Sequence, residues 1–137
     1  MASLAVMSAV EARLRAGWSR APIVSEANTE GAQPLDGGPY LTVTYPVADE
    51  TQISVGAPES NTYREEGAIR FVLSVPFGTG LLQWAAWINE LRDLFRGKAF
   101  DGVVTWEAPP FAVNDDTESA TRFELSFAVP YRYDLFA

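Results

Sequence analysis

Residues 121–133, Thr-Arg-Phe-Glu-Leu-Ser-Phe-Ala-Val-Pro-Tyr-Arg-Tyr, alternate almost without fault between apolar and polar. Phe123, Leu125, Phe127, Val129, Tyr131 and Tyr133 share one parity, while Arg122, Glu124, Ser126 and Arg132 share the other. Successive side chains of a strand point to opposite faces, so this run reads as one long strand with an apolar inner face. Its length exceeds that of an ordinary strand, which makes it a principal element of a sheet. Gly67 to Pro76 repeats the pattern, with Ile69, Phe71, Leu73 and Val75 on one face and Ala68, Arg70, Val72 and Ser74 on the other. That mixed second face suits a central strand.

Working outward, Tyr40 to Tyr45 alternates as a third strand, and Pro46 is expected to stop it because proline cannot donate to a ladder. A short strand is expected at Ile23–Val24, and two short runs at 102–107 and 109–113 are strand-like. Val47 to Glu66 reads as a long polar excursion with only a weak strand signal at Gln52–Val55, and Asn114 to Ala120 as an acidic turn. Two segments carry a helical period instead. Residues 2–18 place Met7, Val10, Leu14 and Trp18 on one side, with Glu11 and Arg15 as a supporting pair and Gly17 as the end. Residues 81–95 place Leu81, Trp84, Ile88, Leu91 and Phe95 on a continuous stripe, with Thr79 as the expected N-cap and Gly97 as the stop. The expected fold is therefore α+β: an antiparallel or mixed β-sheet of about four to five strands with two α-helices packed on one face, in one domain spanning 1–137.

Composition narrows the chemistry. The chain has no cysteine and no histidine, which removes thiol and imidazole nucleophiles, bases and metal ligands. An enzyme would have to rely on carboxylates, tyrosine, arginine or the single lysine, Lys98. The net charge of −8 repels a phosphate backbone, and the ten basic residues form no cluster, so specific nucleic-acid binding is not expected. No apolar run approaches the roughly 20 residues a membrane helix needs, and no basic residue precedes the first apolar stretch as in a signal peptide. Neither a membrane location nor a cofactor or metal is expected, and the chain is placed in a cytoplasm.

Each candidate site has a plain structural alternative. Phe77-Gly78-Thr79-Gly80 precedes a helix as a phosphate cradle would, yet no lysine follows, so a capped turn is the better reading. Glu65 and Glu66 are neighbours on a strand and should point to opposite faces; Asp115, Asp116 and Glu118 lack the spacing of a calcium loop. Trp84 belongs to the core stripe, whereas Trp87 lies at its edge and is an interface candidate. Arg64, Arg70, Arg122 and Arg132, read as outward on strands, are either solvated surface or the basic half of a subunit contact.

The assembled pattern resembles the tail terminator proteins of long-tailed phages and of phage-derived particles such as gene transfer agents. The features that carry the resemblance are the helix Val10–Trp18, the strand Tyr40–Tyr45, the long polar excursion, the segment Glu66–Pro76, the helix Trp84–Phe95 with Arg96-Gly97, and the ending Val129-Pro130-Tyr131-Arg132-Tyr133-Asp134. The resemblance implies a non-enzymatic virion part: a homo-oligomeric ring, six-fold in this family, on the last layer of the tail tube. Such a ring stops tube polymerisation, docks the tail to the head connector or adaptor, and lets DNA pass through its lumen without specific binding. It would be assembled in the bacterial cytoplasm. Tyr63, Arg64, Arg70 and Trp87 are the expected interface residues, and the 47–63 and 107–120 segments the expected contacts with ring neighbours, tube or connector. Other neck or tail parts, such as a head-completion or tube protein, share these features. A small carboxylate-based enzyme or ligand-binding domain is the more distant alternative.

Overall fold

The structure, a computed structural model, describes residues 1–25, 37–76, 80–114 and 122–137. In chain order its elements are helix α1 (Leu4–Gly17), strands β1 (Ile23–Ser25), β2 (Tyr40–Gln52) and β3 (Thr62–Pro76), helix α2 (Leu82–Phe95), and strands β4 (Ala99–Phe100), β5 (Val103–Thr105), β6 (Ala112–Asn114) and β7 (Arg122–Phe136). The strands form one sheet in the order β1-β2-β3-β7-β5-β4, with β6 also pairing to β7. β1 runs parallel to β2 and every other pair is antiparallel, so the sheet is mixed. The expected count of four to five strands is too low, since the sheet has seven among the described residues. The short runs read at Ile23–Val24, 102–107 and 109–113 each supply a strand of the sheet, β1, β5 and β6, and the two-residue β4 is too short to show an alternation of its own.

The two runs with the clearest alternation are the centre of the sheet. β3 and β7 pair in register over their full length, from Thr62 opposite Phe136 to Pro76 opposite Arg122. Their inward residues Ile69, Phe71, Leu73, Val75, Leu125, Phe127, Val129 and Tyr131 are buried, as are Leu41, Val43 and Tyr45 of β2. Against them lie Val6, Val10 and Leu14 of α1 and Trp84, Ile88, Leu91 and Phe95 of α2. Both helices therefore cover the same face, as expected. Phe71 is the hub, with ring centroids 4.9 Å from Phe95 and 5.2 Å from Phe127.

Pro46 does not stop β2. The register slips between Thr44 and Val47, and the strand continues to Gln52. A bulge leaves one residue out of the ladder, which is where a proline without an N–H can sit. The expected excursion is consequently mostly strand: Asp49 faces Glu66, Gln52 faces Tyr63, and the irregular connection runs only from 53 to 61. Where β2 resumes, the backbones press together. A β-carbon on Gly67 would lie 2.1 Å from the Val47 carbonyl oxygen and 2.8 Å from the Tyr131 hydroxyl, so only glycine fits.

Gly17 ends α1 and sits where the helices meet, its missing β-carbon leaving room for Leu94. Trp18 is buried beside it and donates its indole N–H to the Trp87 carbonyl at 3.1 Å. In α2 the buried stripe starts at Trp84; Leu81, expected on it, occupies the N-cap position and is exposed. Thr79 lies outside the described residues. Gly97, at φ +56°, ends α2 and gives its N–H to the Trp106 carbonyl at 2.8 Å.

Candidate functional site

Among the described residues the helices clothe one face of the sheet and leave the other bare. In the β3–β7 register, residues of even number project to that bare face, which places Arg64 and Arg70 of β3 and Arg122 and Arg132 of β7 on one surface. The four arginines singled out in the sequence are thus brought together. Asp49, Glu66, Glu124 and Asp134 share the face with them, through the pairings of Asp49 with Glu66 and of Glu66 with Arg132. Four cations against four carboxylates leave these strand positions neutral, so the acidic excess of the chain lies elsewhere.

Three of the four arginines are committed to contacts within the chain. Arg64 forks onto Asp134 with bonds of 2.8 and 3.2 Å, a bidentate geometry that stiffens both side chains. That hydrogen bond is the main cause of the shifts in both groups, raising the guanidinium pKa and holding the Asp134 carboxyl below the usual aspartate value. Arg122 donates to the Gly37 and Gly38 carbonyls and to the Ser74 hydroxyl, all at 2.7 Å, and lies over the Tyr40 ring, tying the start of β2 to β7. Arg132 lies 5.4 Å above the ring of Trp106, a cation–π contact. Arg70 is exposed between Thr44 and Ala128 and makes no hydrogen bond or ion pair among the described residues. It is the arginine on this face best placed to meet a partner.

The other two expected interface residues lie apart from this face. Tyr63, between Gln52 and Leu135, points to the helix side and is half-buried. Trp87 is also half-buried on the helix side, edge-on to Trp84 with centroids 4.7 Å apart. Tyr63, Arg64, Arg70 and Trp87 therefore do not form one patch. Glu65 and Glu66 do point to opposite faces, Glu65 buried and Glu66 exposed. Phe77-Gly78-Thr79 and Asp115, Asp116 and Glu118 lie outside the described residues.

One feature of the surface escaped sequence reading. At the end of the sheet where β2 gives way to the 53–61 connection and β7 finishes, Ile53, Val55, Leu135 and Phe136 are all exposed, with Phe136 79% exposed. The available signal was the apolar pair Leu135-Phe136 just beyond Tyr133, which extends the strand but breaks its alternation.

A mixed sheet clad by two helices on one side, with a charge-balanced face on the other and an apolar tip, describes a small α+β protein whose distinctive features are surfaces. The profile of the family described as phage tail terminator protein matches residues 5–131, and the chain belongs to that structural, non-enzymatic family. It is a phage tail structural protein. Among thirteen matching solved chains, one is similar in fold with a TM-score of 0.66, at 19% identity over 100% of this chain and 99% of the other. No curated protein matches the sequence at a significant level. No helix among the described residues is long and apolar enough to cross a membrane.

Proposed function

We propose that this chain, as one domain over 1–137, forms a closed ring of six subunits at the head-proximal end of the tail tube. The ring stops tube polymerisation and presents a docking face to the head connector of a virion or phage-like particle assembled in the bacterial cytoplasm. The observation that carries this reading is the family match across residues 5–131, nearly the whole chain. The structure is compatible with it in one specific way. A head-to-tail ring needs two different patches on each subunit, and the molecule has distinct surfaces to offer: the bare sheet face with Arg70, the apolar tip around Phe136, and the helix side with Trp87 and Tyr63. Arg64 belongs to the same set through its fixed position beside Asp134. An acidic subunit also suits a lumen through which DNA slides without sticking.

The test is the mass in solution by light scattering after size exclusion, with negative-stain images, alone and with purified tail tubes. Closed rings in solution or on tube ends, together with limited tube length, are the expected result. A monomer that neither caps tubes nor limits their length would sink the proposal.

A further inference from the structure

The sheet is stepped, and the step leaves an open edge. β1 pairs with β2 only from Leu41 to Val43, so among the described residues no strand covers the outer edge of β2 from Val47 to Gln52. The Ile53 N–H donates to the Thr62 carbonyl at 2.9 Å, so alternation along the antiparallel ladder turns the backbone groups of Ala48, Glu50 and Gln52 away from β3. An exposed row of that kind is a template for another strand.

The opposite end of the sheet is level with it. Following the register across, Asp49 pairs with Glu66, Glu66 with Arg132, Arg132 with Val104, and Val104 with Ala99. The next row runs Glu50, Glu65, Tyr133, Val103, Phe100. The open stretch of β2 and the edge strand β4 thus lie on the same rows at the two ends of the sheet. The antiparallel pairings from β2 through β3, β7 and β5 to β4 also give β2 and β4 the same direction. The two edges differ in charge. Asp49 and Glu50 lie on the first, and Lys98, the sole lysine, adjoins the second; none of the three has an ion pair among the described residues.

We infer that β2 of one subunit pairs in parallel with β4 of the next copy of this chain, through residues 47–52, so that the sheet continues around the assembly. Rotation about an axis along the strands preserves strand direction, which is why the pairing is parallel and head-to-tail. Glu50 and Lys98 of adjoining copies face the same side, two residues apart along the strand, and their opposite charges select this register over a like-edge contact. The inference rests on the ring reading and specifies its seam.

Because the native chain has no cysteine, the seam can be read covalently. Ala99→Cys is combined in the full chain with Asp49→Cys, and in parallel with Val47→Cys or Thr51→Cys. Within one subunit Asp49 and Ala99 are four strand spacings apart, about 19 Å, far beyond disulfide reach. Mild oxidation of the assembled protein, alone or on tubes, should therefore give a ladder of covalent multimers, strongest for Asp49→Cys with Ala99→Cys and absent for each single variant. Lys98→Glu should lose rings, and adding Glu50→Lys should restore them. Rings without a ladder for any pair would overturn the seam while leaving the ring itself standing. Absence of rings under both conditions would overturn both.

Discussion

The Tyr131 hydroxyl donates a 2.6 Å hydrogen bond to the buried Glu65 carboxylate, and the same oxygen accepts the Ser3 backbone N–H at 3.1 Å. A carboxylate is thereby held under the first turn of α1, where the helix dipole favours negative charge. The pair links the middle of the sheet to the helix layer.

Tyr131→Phe removes one donor from that buried acid and should cost about 1–3 kcal/mol by urea unfolding at neutral pH. Burial first, and then Glu65, push the Tyr131 pKa above its ordinary value near 10. The folded state keeps a proton that the unfolded chain releases, so stability is full below about pH 10 and falls as pH rises further. The phenylalanine variant should lose stability less steeply on that alkaline limb. An unchanged slope would show that Tyr131 is not the group responsible.

Gly67 and Gly17 both lie at close approaches, yet they should respond differently to alanine. At Gly67 the new β-carbon meets the Val47 backbone oxygen, which moves only with the strand, so Gly67→Ala should cost roughly 3 kcal/mol or more. At Gly17 the clash is with the flexible end of Leu94, and alanine also favours the helix, so Gly17→Ala should stay within about 1 kcal/mol of the parent. Thermal melts of the two variants side by side decide this, and similar losses would refute the contrast.

Two surface ion pairs set part of the acid limb. Arg64 lowers the Asp134 pKa and Arg20 lowers that of Glu90, in each case chiefly through the hydrogen bond. A depressed carboxyl pKa contributes stability above the unfolded value near 4 and loses it as pH falls through the folded value. Asp134→Asn and Glu90→Gln should each flatten the fall in melting temperature between pH 5 and pH 2, with only a small loss at neutral pH because both pairs are solvated.

Arg70 separates assembly from folding. Its side chain is exposed and unpaired among the described residues, so Arg70→Glu should change stability by no more than about 0.5 kcal/mol. If the bare face meets a partner, the same substitution should reduce tube capping measured by electron microscopy. Normal capping would remove this face from the contact.

How far the sequence could be read depended on how strongly each segment's two sides differ in environment. β3 and β7 are legible because a buried face and a solvated face alternate along them, and the α2 stripe from Trp84 to Phe95 is legible for the same reason. Val47 to Gln52 is strand with mostly exposed side chains, so its pattern is that of a loop, and Pro46 reads as a terminus because a bulge is invisible to periodicity. β4 is held by two pairs to β5 and has no pattern of its own. The arginines of the bare face could be named one by one, but that three of them are spoken for by Asp134, Ser74 and Trp106 depends on contacts that join distant segments.

The ladder between β3 and β7 joins residues 46 to 74 positions apart in the chain. β2 and β3 can close as a hairpin as soon as both have been made, on a microsecond scale. The second edge of β3, carrying Ile69, Phe71 and Leu73, has to wait for β7; at roughly 5–20 residues per second that delay lasts several seconds. During it the nascent chain presents an apolar strand with one side unpaired, the state most prone to stick to a sibling. The chain thus passes through its greatest hazard of aggregation before β7 is synthesised, which makes the speed of β7 docking a determinant of yield.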